Sequence, residues 1–319
     1  MKIIVTGGAG FLGSRVIRAL LAARGQKAGL PAFDSILAVD LAPCPVEDER
    51  VASLTGDISD PAFARQVVGP DTVGIYHLAA VLSGQSEQDF DLSLRVNVGG
   101  TRALLEAARG TGACPRFVFA SSLAVFGGEM PDVVPETMAL MPASSYGAQK
   151  AIGELLVNDY SRKGFIDGRV CRLPTIVVRP GKPNSAASSF ASGIIREPLS
   201  GVASNCPVPL ETRMWLSSPD VVVANLVHAL SVDGASIGAW RTLNLPGLCV
   251  TVAEMLASLE RVGGAAPRAL VTQQPEQRII DIVCSWPGAF DVTRPLALGF
   301  TRDADFDAAV RQYKDEFVR

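Results

Sequence analysis

The tightest constraint on this chain lies at its start, where "KIIVT" at 2–6 runs straight into a glycine turn, "GGAGFLG" at 7–13. The first segment reads as a short buried strand, and "FLGSRVIRALLAARG" carries apolar residues at helical spacing. Gly7, Gly10 and Gly13 form the pattern G-x-x-G-x-x-G, with Phe11 and Leu12 inside it. Absent side chains at such a turn let the main chain approach a pyrophosphate, and the start of the helix aims its amide groups at the same point. A glycine triplet alone says little. Set between a strand and a helix, it reads as a dinucleotide-binding turn.

The alternation continues downstream. Further strands are predicted in "SILAVD" (35–40), "VASLTGD" (51–57), "VGIYHLAA" (73–80) and "RFVFASS" (116–122), with one or two more in "GRVCRLPTIVVRP" (168–180). Helical patterns lie between them: a short one through "PAFARQVV", a long one over 89–110, and one through "YGAQKAIGELLVNDYSRK". Repeated strand and helix units with apolar strands predict an α/β fold, a doubly wound parallel sheet of Rossmann type. After Pro180 the pattern loosens into "GKPNSAASSF"; helices are expected at 219–231, 251–262 and 303–318, and short strands near 240–245 and 268–273. The expected division is a dinucleotide-binding domain over 1–174 and a smaller, mainly substrate-binding lobe over 175–319, with segments returning to the sheet.

Composition narrows the partners. The 319 residues are 48% hydrophobic and 19% charged, with a net charge of -3, which lacks the basic excess of a nucleic-acid binder. Six scattered cysteines without a Cys-x-x-Cys spacing fit reduced thiols in a cytoplasm. Two histidines, His77 and His228, stand apart from other ligand-type residues, so no metal is expected. The start of the chain does not read as a signal or transit peptide, and no apolar run reaches the ~18 residues that span a bilayer. A soluble, cytoplasmic protein without membrane contact is the expectation.

Three further features carry chemistry. Asp40 ends the second predicted strand, where a carboxylate can accept both ribose hydroxyls of an adenosine and repel a 2'-phosphate, which favours NAD over NADP. Asp57 and Ile58 follow the third strand, where an acid can meet the adenine amino group. In "SSYGAQK" (144–150), Tyr146 and Lys150 stand four residues apart on one helix face, and Ser122 closes the fifth strand beside the same crevice. A free phenol ionises near ~10; an adjacent ammonium and an oxidised nicotinamide both favour phenolate, so Tyr146 can act as a base that Lys150 tunes. Ser122 can hold the substrate oxygen while the proton leaves.

The set "TGGAGFLG", "HLAA" at 77–80, Asn97, "SSLAVFG" at 121–127 and "YGAQK" at 146–150 resembles the extended short-chain dehydrogenase/reductases, also called the NAD-dependent epimerase/dehydratase family, over roughly residues 1–180. The resemblance implies Ser122, Tyr146 and Lys150 as a catalytic triad, with Asn97 organising the active-site helix and water. It also implies that Leu78, Ala79 and Ala80, together with Pro174 after the sixth strand, line the cofactor, and that two copies dimerise through the helices near 89–110 and 145–163.

Departures narrow the reaction. Dehydratases of this family carry an acidic pair after the catalytic hydroxyl residue; here Leu123 and Ala124 stand there, with nothing to protonate a leaving hydroxyl. Nucleotide-sugar epimerases place an asparagine where this chain has Thr175. The segment "RLPTIVVRPGKPNSAASSFASGIIREPL" instead looks like the D-erythronate dehydrogenase subgroup, which oxidises a four-carbon sugar acid at its 2-hydroxyl. A sugar acid needs a cationic partner. Arg179, Lys182, Arg196 and Arg213 lie in or after this segment, and Arg179, Lys182 or Arg213 is the expected carboxylate partner. Thr175 and Ser83 are candidate hydroxyl ligands; His77 is expected to make a structural hydrogen bond beside the cofactor loop, and His228 to be an ordinary helix residue. Two alternatives stand beside oxidation of D-erythronate to 2-dehydro-D-erythronate: a UDP-sugar 4-epimerase that reduces NAD transiently, and a dinucleotide-binding regulator without turnover.

Overall fold

A computed structural model describes residues 1–181 and 188–318. Its first six strands are β1 (Lys2–Thr6), β2 (Ser35–Asp40), β3 (Val51–Thr55), β4 (Thr72–His77), β5 (Arg116–Ser122) and β6 (Asp167–Leu173). Six more follow: β7 (Thr175–Ile176), β8 (Ser204–Cys206), β9 (Arg213–Ser217), β10 (Thr242–Asn244), β11 (Leu248–Thr251) and β12 (Val271–Gln273). Seven of them form one sheet in the order β10-β6-β5-β4-β1-β2-β3, and every pair in it is parallel. The chain runs outward from β1 in both directions, so the order reverses between β1 and β4, where Thr6 pairs with His77. In open sheets of this kind the crevice beyond the strand ends at such a reversal is where ligands bind.

The alternation of β1 explains why helices cover both faces. Ile3 and Val5 point into a core made with Val16, Ile17 and Leu20 of the helix Phe11–Ala23 and with Val222 and Leu226 of the helix Pro219–Ser231. Ile4 points the other way, toward Leu104 and Leu105 of the helix Thr101–Thr111 and Val157 of the helix Ser145–Arg162. All three strand side chains are fully buried, each contributing on the order of 1.5–3 kcal/mol. A strand buried on both faces reads as an unbroken apolar run, as "IIV" does.

A second core lies in the C-terminal half. Val177, Ile194, Met214, Val252, Leu259 and Val310 belong to it, carried by β9 and the helices Ser189–Leu199, Val252–Gly263 and Phe306–Phe317 among others. The strands β11-β9-β7 make its small sheet, and β12 pairs with β8. β10 and the helix Pro219–Ser231 return to the main sheet and its core.

The structure refines several expected boundaries. The expected long helix over 89–110 is divided into Phe90–Ser93, a π-helical stretch Leu94–Gly100, and Thr101–Thr111. β4 ends at His77, so Leu78, Ala79 and Ala80 form a loop beyond it. β9 and β11 are absent from the sequence reading because each forms by antiparallel pairing with a distant segment, Leu248 opposite Leu216. No helix among the described residues is long and apolar enough to cross a membrane.

Candidate active site

The glycine turn makes one end of a cleft of about 650 Å³ at the sheet reversal. Gly13 is essential to its shape: a Cβ there would lie 2.1 Å from the Gly7 carbonyl oxygen, so only glycine lets the helix start this close to β1. The residue preceding the helix is Gly10, which supplies no side-chain cap, so the first-turn amides face the cleft without a side-chain acceptor. Asp40 closes this end. Its carboxylate accepts from the amide of Ala9 at 3.0 Å and from that of Leu41 at 2.7 Å, bracing the turn while lining the cleft. Asp57 lines it too; burial pushes its carboxyl up, but hydrogen bonds from the Ser59 hydroxyl and amide outweigh burial and leave it below the usual range. An open helix start, a glycine turn and a carboxylate at the end of β2 are what a dinucleotide needs for its pyrophosphate and ribose. Phe11, Leu12, Ile58, Leu78, Ala79, Ala80 and Pro174 also line this cleft.

At the other end Ser122, Tyr146 and Lys150 come together. The helix Ser145–Arg162 begins with Ser144, whose hydroxyl accepts from the amide of Gly147 at 3.1 Å. Gly147 is there because the turn after β5 presses on it: a Cβ would stand 2.1 Å from the carbonyl oxygen of Ala124. This close approach sets Tyr146 beside Ser122 in the cleft. Burial pushes the Tyr146 phenol up to about 12, with the nearby Ser122 hydroxyl and the charge of Arg179 working against it. Lys150 donates to the carbonyl of Ala120 at 2.7 Å, and its ammonium lies 5.7 Å from the centre of the Tyr146 ring. Burial brings that ammonium down to about 8, opposed by the negative charge of Glu154.

Two residues stand behind this array. Asn97 does not line the cleft; it sits on the π-helical stretch, where its side chain accepts from the amide of Val81 at 2.8 Å and donates to the carbonyl of Val81 and to Gln149 at 2.7 Å. It thus ties the loop after β4 to the helix bearing Tyr146 and Lys150. A π-helical stretch shifts the following residues around the axis, a device common at functional sites. His77 bridges Thr6 at 2.8 Å and Thr101 at 2.9 Å, and burial lowers its imidazole to about 3, so it is neutral at physiological pH. His228 hydrogen-bonds the carbonyl of Leu298 at 2.8 Å from its helix.

The candidate carboxylate partners separate clearly. Arg179 lines the cleft, and its Nη2 is buried without a hydrogen-bond partner among the described residues. Its main chain is held from both sides: its amide donates to Ser192 at 3.0 Å, and Arg196 donates to its carbonyl at 2.7 Å. Arg213, one of the expected partners, lies outside the cleft at the exposed start of β9, where it faces Asp132 at 3.7 Å and Cys249 at 3.3 Å. Lys182 lies outside the described residues. Thr175 and Ser83 both line the cleft. Arg196 and Trp286 line it as well. Trp286 carries no signal in the sequence, being a lone aromatic some 140 residues beyond Tyr146. Among the described residues, no group of three or more histidine, cysteine or acidic side chains is placed to hold a metal.

The family described as "NAD dependent epimerase/dehydratase family" matches residues 3–238, about three quarters of the chain. The chain belongs to the NAD-dependent epimerase/dehydratase family. NAD is accordingly the cofactor of this NAD-dependent epimerase/dehydratase family member, in agreement with the glycine turn and Asp40. The chain is 55% identical to a D-erythronate dehydrogenase of Cupriavidus necator, over 99% of its own length and 98% of the relative's. It is 45% identical to a D-erythronate dehydrogenase of Haemophilus influenzae, over 98% of each. Among solved structures it is similar to one described as a nucleoside-diphosphate-sugar epimerase from Agrobacterium tumefaciens, with TM-score 0.93 and 38% identity over 100% of this chain and 94% of that one. L-threonine 3-dehydrogenase of Trypanosoma brucei shares the fold at TM-score 0.87 and 24% identity, covering 98% and 96%.

Proposed function

We propose that the protein oxidises the 2-hydroxyl of a small sugar acid with NAD, D-erythronate being converted to 2-dehydro-D-erythronate. The observation that carries this reading is the unpartnered, buried guanidinium nitrogen of Arg179 in the cleft that holds Ser122 and Tyr146. A buried guanidinium nitrogen without a partner among the described residues is costly, and a substrate carboxylate would satisfy it with a charge-assisted hydrogen bond. The likeness to two D-erythronate dehydrogenases over nearly the whole chain supports the same choice.

In the proposed mechanism, Ser122 donates to the substrate hydroxyl oxygen and orients it, and the Tyr146 phenolate takes the hydroxyl proton. Lys150 keeps positive charge beside the phenolate. Bound NAD supplies the acceptor for the hydride that leaves carbon 2, so the products are a 2-keto acid, NADH and a proton. Asp40 and the open helix start hold the adenosine ribose and the pyrophosphate, and Arg179 holds the carboxylate. Asn97 acts behind the cleft by fixing the helix of Tyr146. The epimerase alternative uses the same triad, and the similar structure described as an epimerase is its support. Against it stands Thr175, at the place where nucleotide-sugar epimerases carry an asparagine.

The reading is tested by mixing the protein with excess NAD and D-erythronate and identifying the keto acid formed. Arg179 gives a sharper expectation. Arg179→Ala should raise KM for the acid by roughly 10- to 100-fold, the equivalent of about 1.5–3 kcal/mol for a hydrogen bond to a charged group, while KM for NAD stays within a few-fold. Steady-state kinetics with each reactant varied separately reads this, and an unchanged KM for the acid would remove Arg179 from the site.

The same reading assigns the cofactor to residues 1–174 and much of the acid pocket to 175–319, in a protein working in the cytoplasm. Phe90, Leu94, Ile152 and Leu155 are exposed on two adjacent elements, the stretch 90–100 and the helix Ser145–Arg162. We place a second copy of the chain on this apolar face, as a homodimer. Leu155→Glu should convert the species seen by sedimentation from dimer to monomer; a wild-type monomer at micromolar concentration would argue against it.

A further inference from the structure

A second cavity, of about 520 Å³, adjoins the catalytic end of the cleft, and Ser83, Ala124 and Trp286 line both spaces. Ala124 lies in the turn that follows Ser122, and the second cavity also reaches Ser144 at the start of the helix that carries Tyr146. It therefore begins beside the reacting hydroxyls. At this volume it falls within the range of pockets that take whole small-molecule ligands, far more than a four-carbon acid needs.

Charge distinguishes the substrate end of the cleft from the second cavity, Asp40 and Asp57 lying at the cofactor end. Arg179 and Arg196 line only the cleft. Glu87 and Asp281 line only the second cavity, with Arg278 as its one basic residue among the described residues. Glu87 accepts from the amide of Ser145 at 2.7 Å and Asp281 from the side chain of Gln277 at 2.7 Å, so both carboxylates are held in place. An acid bound through its carboxylate at Arg179 must direct the far end of its carbon chain away from that guanidinium. Ser83, Ala124 and Trp286, common to both linings, stand where the two spaces meet.

Trp286 is the bulky member of these three, and it is anchored. Its amide donates to the carbonyl of Val283 at 3.1 Å, just past the helix Gln277–Val283, and its ring packs against two apolar clusters, one with Met214 and Val283, the other with Phe126 and Phe290. A side chain held this way makes a fixed wall.

The geometry points to Trp286 as the residue that sets substrate chain length: its indole separates the catalytic end from the second cavity, and a smaller side chain joins them so that five- and six-carbon 2-hydroxy sugar acids extend through. This inference rests on the proposed oxidation of a small sugar acid. The second cavity is mostly apolar, and Ser144, Ser285 and Gln88 are among the polar side chains of its lining that can hydrogen-bond the hydroxyls of a longer acid's tail.

The experiment compares wild type, Trp286→Ala, Trp286→Leu and Trp286→Phe with D-erythronate and with five- and six-carbon aldonic acids of the same configuration at carbons 2 and 3. Expected is a rise of at least ~10-fold in the ratio of kcat/KM for the six-carbon over the four-carbon acid in Trp286→Ala, with Phe close to wild type. Trp286→Leu keeps an apolar anchor and should move the ratio in the same direction if the alanine variant does not fold. Wild-type oxidation of D-erythronate with a ratio unmoved in both smaller variants overturns the gate alone. Wild type inactive on every sugar acid overturns the functional reading and the gate with it.

Discussion

Tyr146→Phe is expected to lower kcat for sugar-acid oxidation by about 10³-fold, within the range of 10²–10⁴ that a positioned general base contributes. The substitution removes one oxygen and leaves the ring, so binding of NAD should change by no more than a few-fold, which fluorescence titration can read. The pH profile separates a base from a packing residue. Burial holds the Tyr146 phenol up at about 12 in the protein alone, and only its deprotonated form accepts the substrate proton. Wild-type kcat/KM should therefore rise with pH above neutrality. The Lys150 ammonium, brought down to about 8 by burial, loses its proton over the same range and opposes the rise. The residual rate of Tyr146→Phe should lack the rise, and a variant that keeps both the rate and the profile would exclude the phenol as the base.

The largest loss of stability is expected from Glu154→Ala. Glu154 is fully buried four residues beyond Lys150; it accepts from Nε and Nη2 of Arg172 at 2.8–3.1 Å and from the Ser121 hydroxyl at 2.5 Å. Arg172 is itself buried on β6 and reaches Asn244 of β10 at 3.2 Å. Removing the carboxylate leaves a guanidinium charge out of water and uncompensated, a change that costs about 3–5 kcal/mol. Thermal unfolding should fall by roughly 5–10 °C. Glu154→Leu combined with Arg172→Met, which removes both charges, should recover most of that loss, because a buried ion pair contributes little against an apolar pair of similar volume. A single variant as stable as wild type would mean that water reaches this pair.

Local patterns carried much of this in the sequence. The strand, glycine turn and helix at 2–23 needed only three glycines and helical spacing, because the close approach at Gly13 is a property of neighbouring residues. Tyr146 and Lys150 share a helix, so their separation along the chain fixes their relation in space. Ser122 was readable because it ends a strand whose apolar run is unambiguous. What could not be read depends on contacts between distant segments. The carboxylate candidates Arg179, Lys182 and Arg213 look alike as residue types; the folded chain turns Arg213 to the exposed start of β9 and leaves Arg179 in the cleft. Glu154 and Arg172 meet only because the helix that carries Glu154 packs on β6, which carries Arg172, and no periodicity announces that. Trp286 reaches the catalytic end from the C-terminal half through packing alone. The break at Leu94–Gly100 was hidden for another reason: a π-helical stretch keeps an approximately helical pattern while shifting its register.

The measurement that bears most directly on the central claim is the amount of NADH formed when the protein is mixed with excess NAD and, separately, with D-erythronate, L-threonate and UDP-sugars. The account predicts NADH in large molar excess over protein with D-erythronate, and none with UDP-sugars. Interconversion of a UDP-sugar without net NADH, alongside silence toward every acid, would contradict it and make the protein an epimerase.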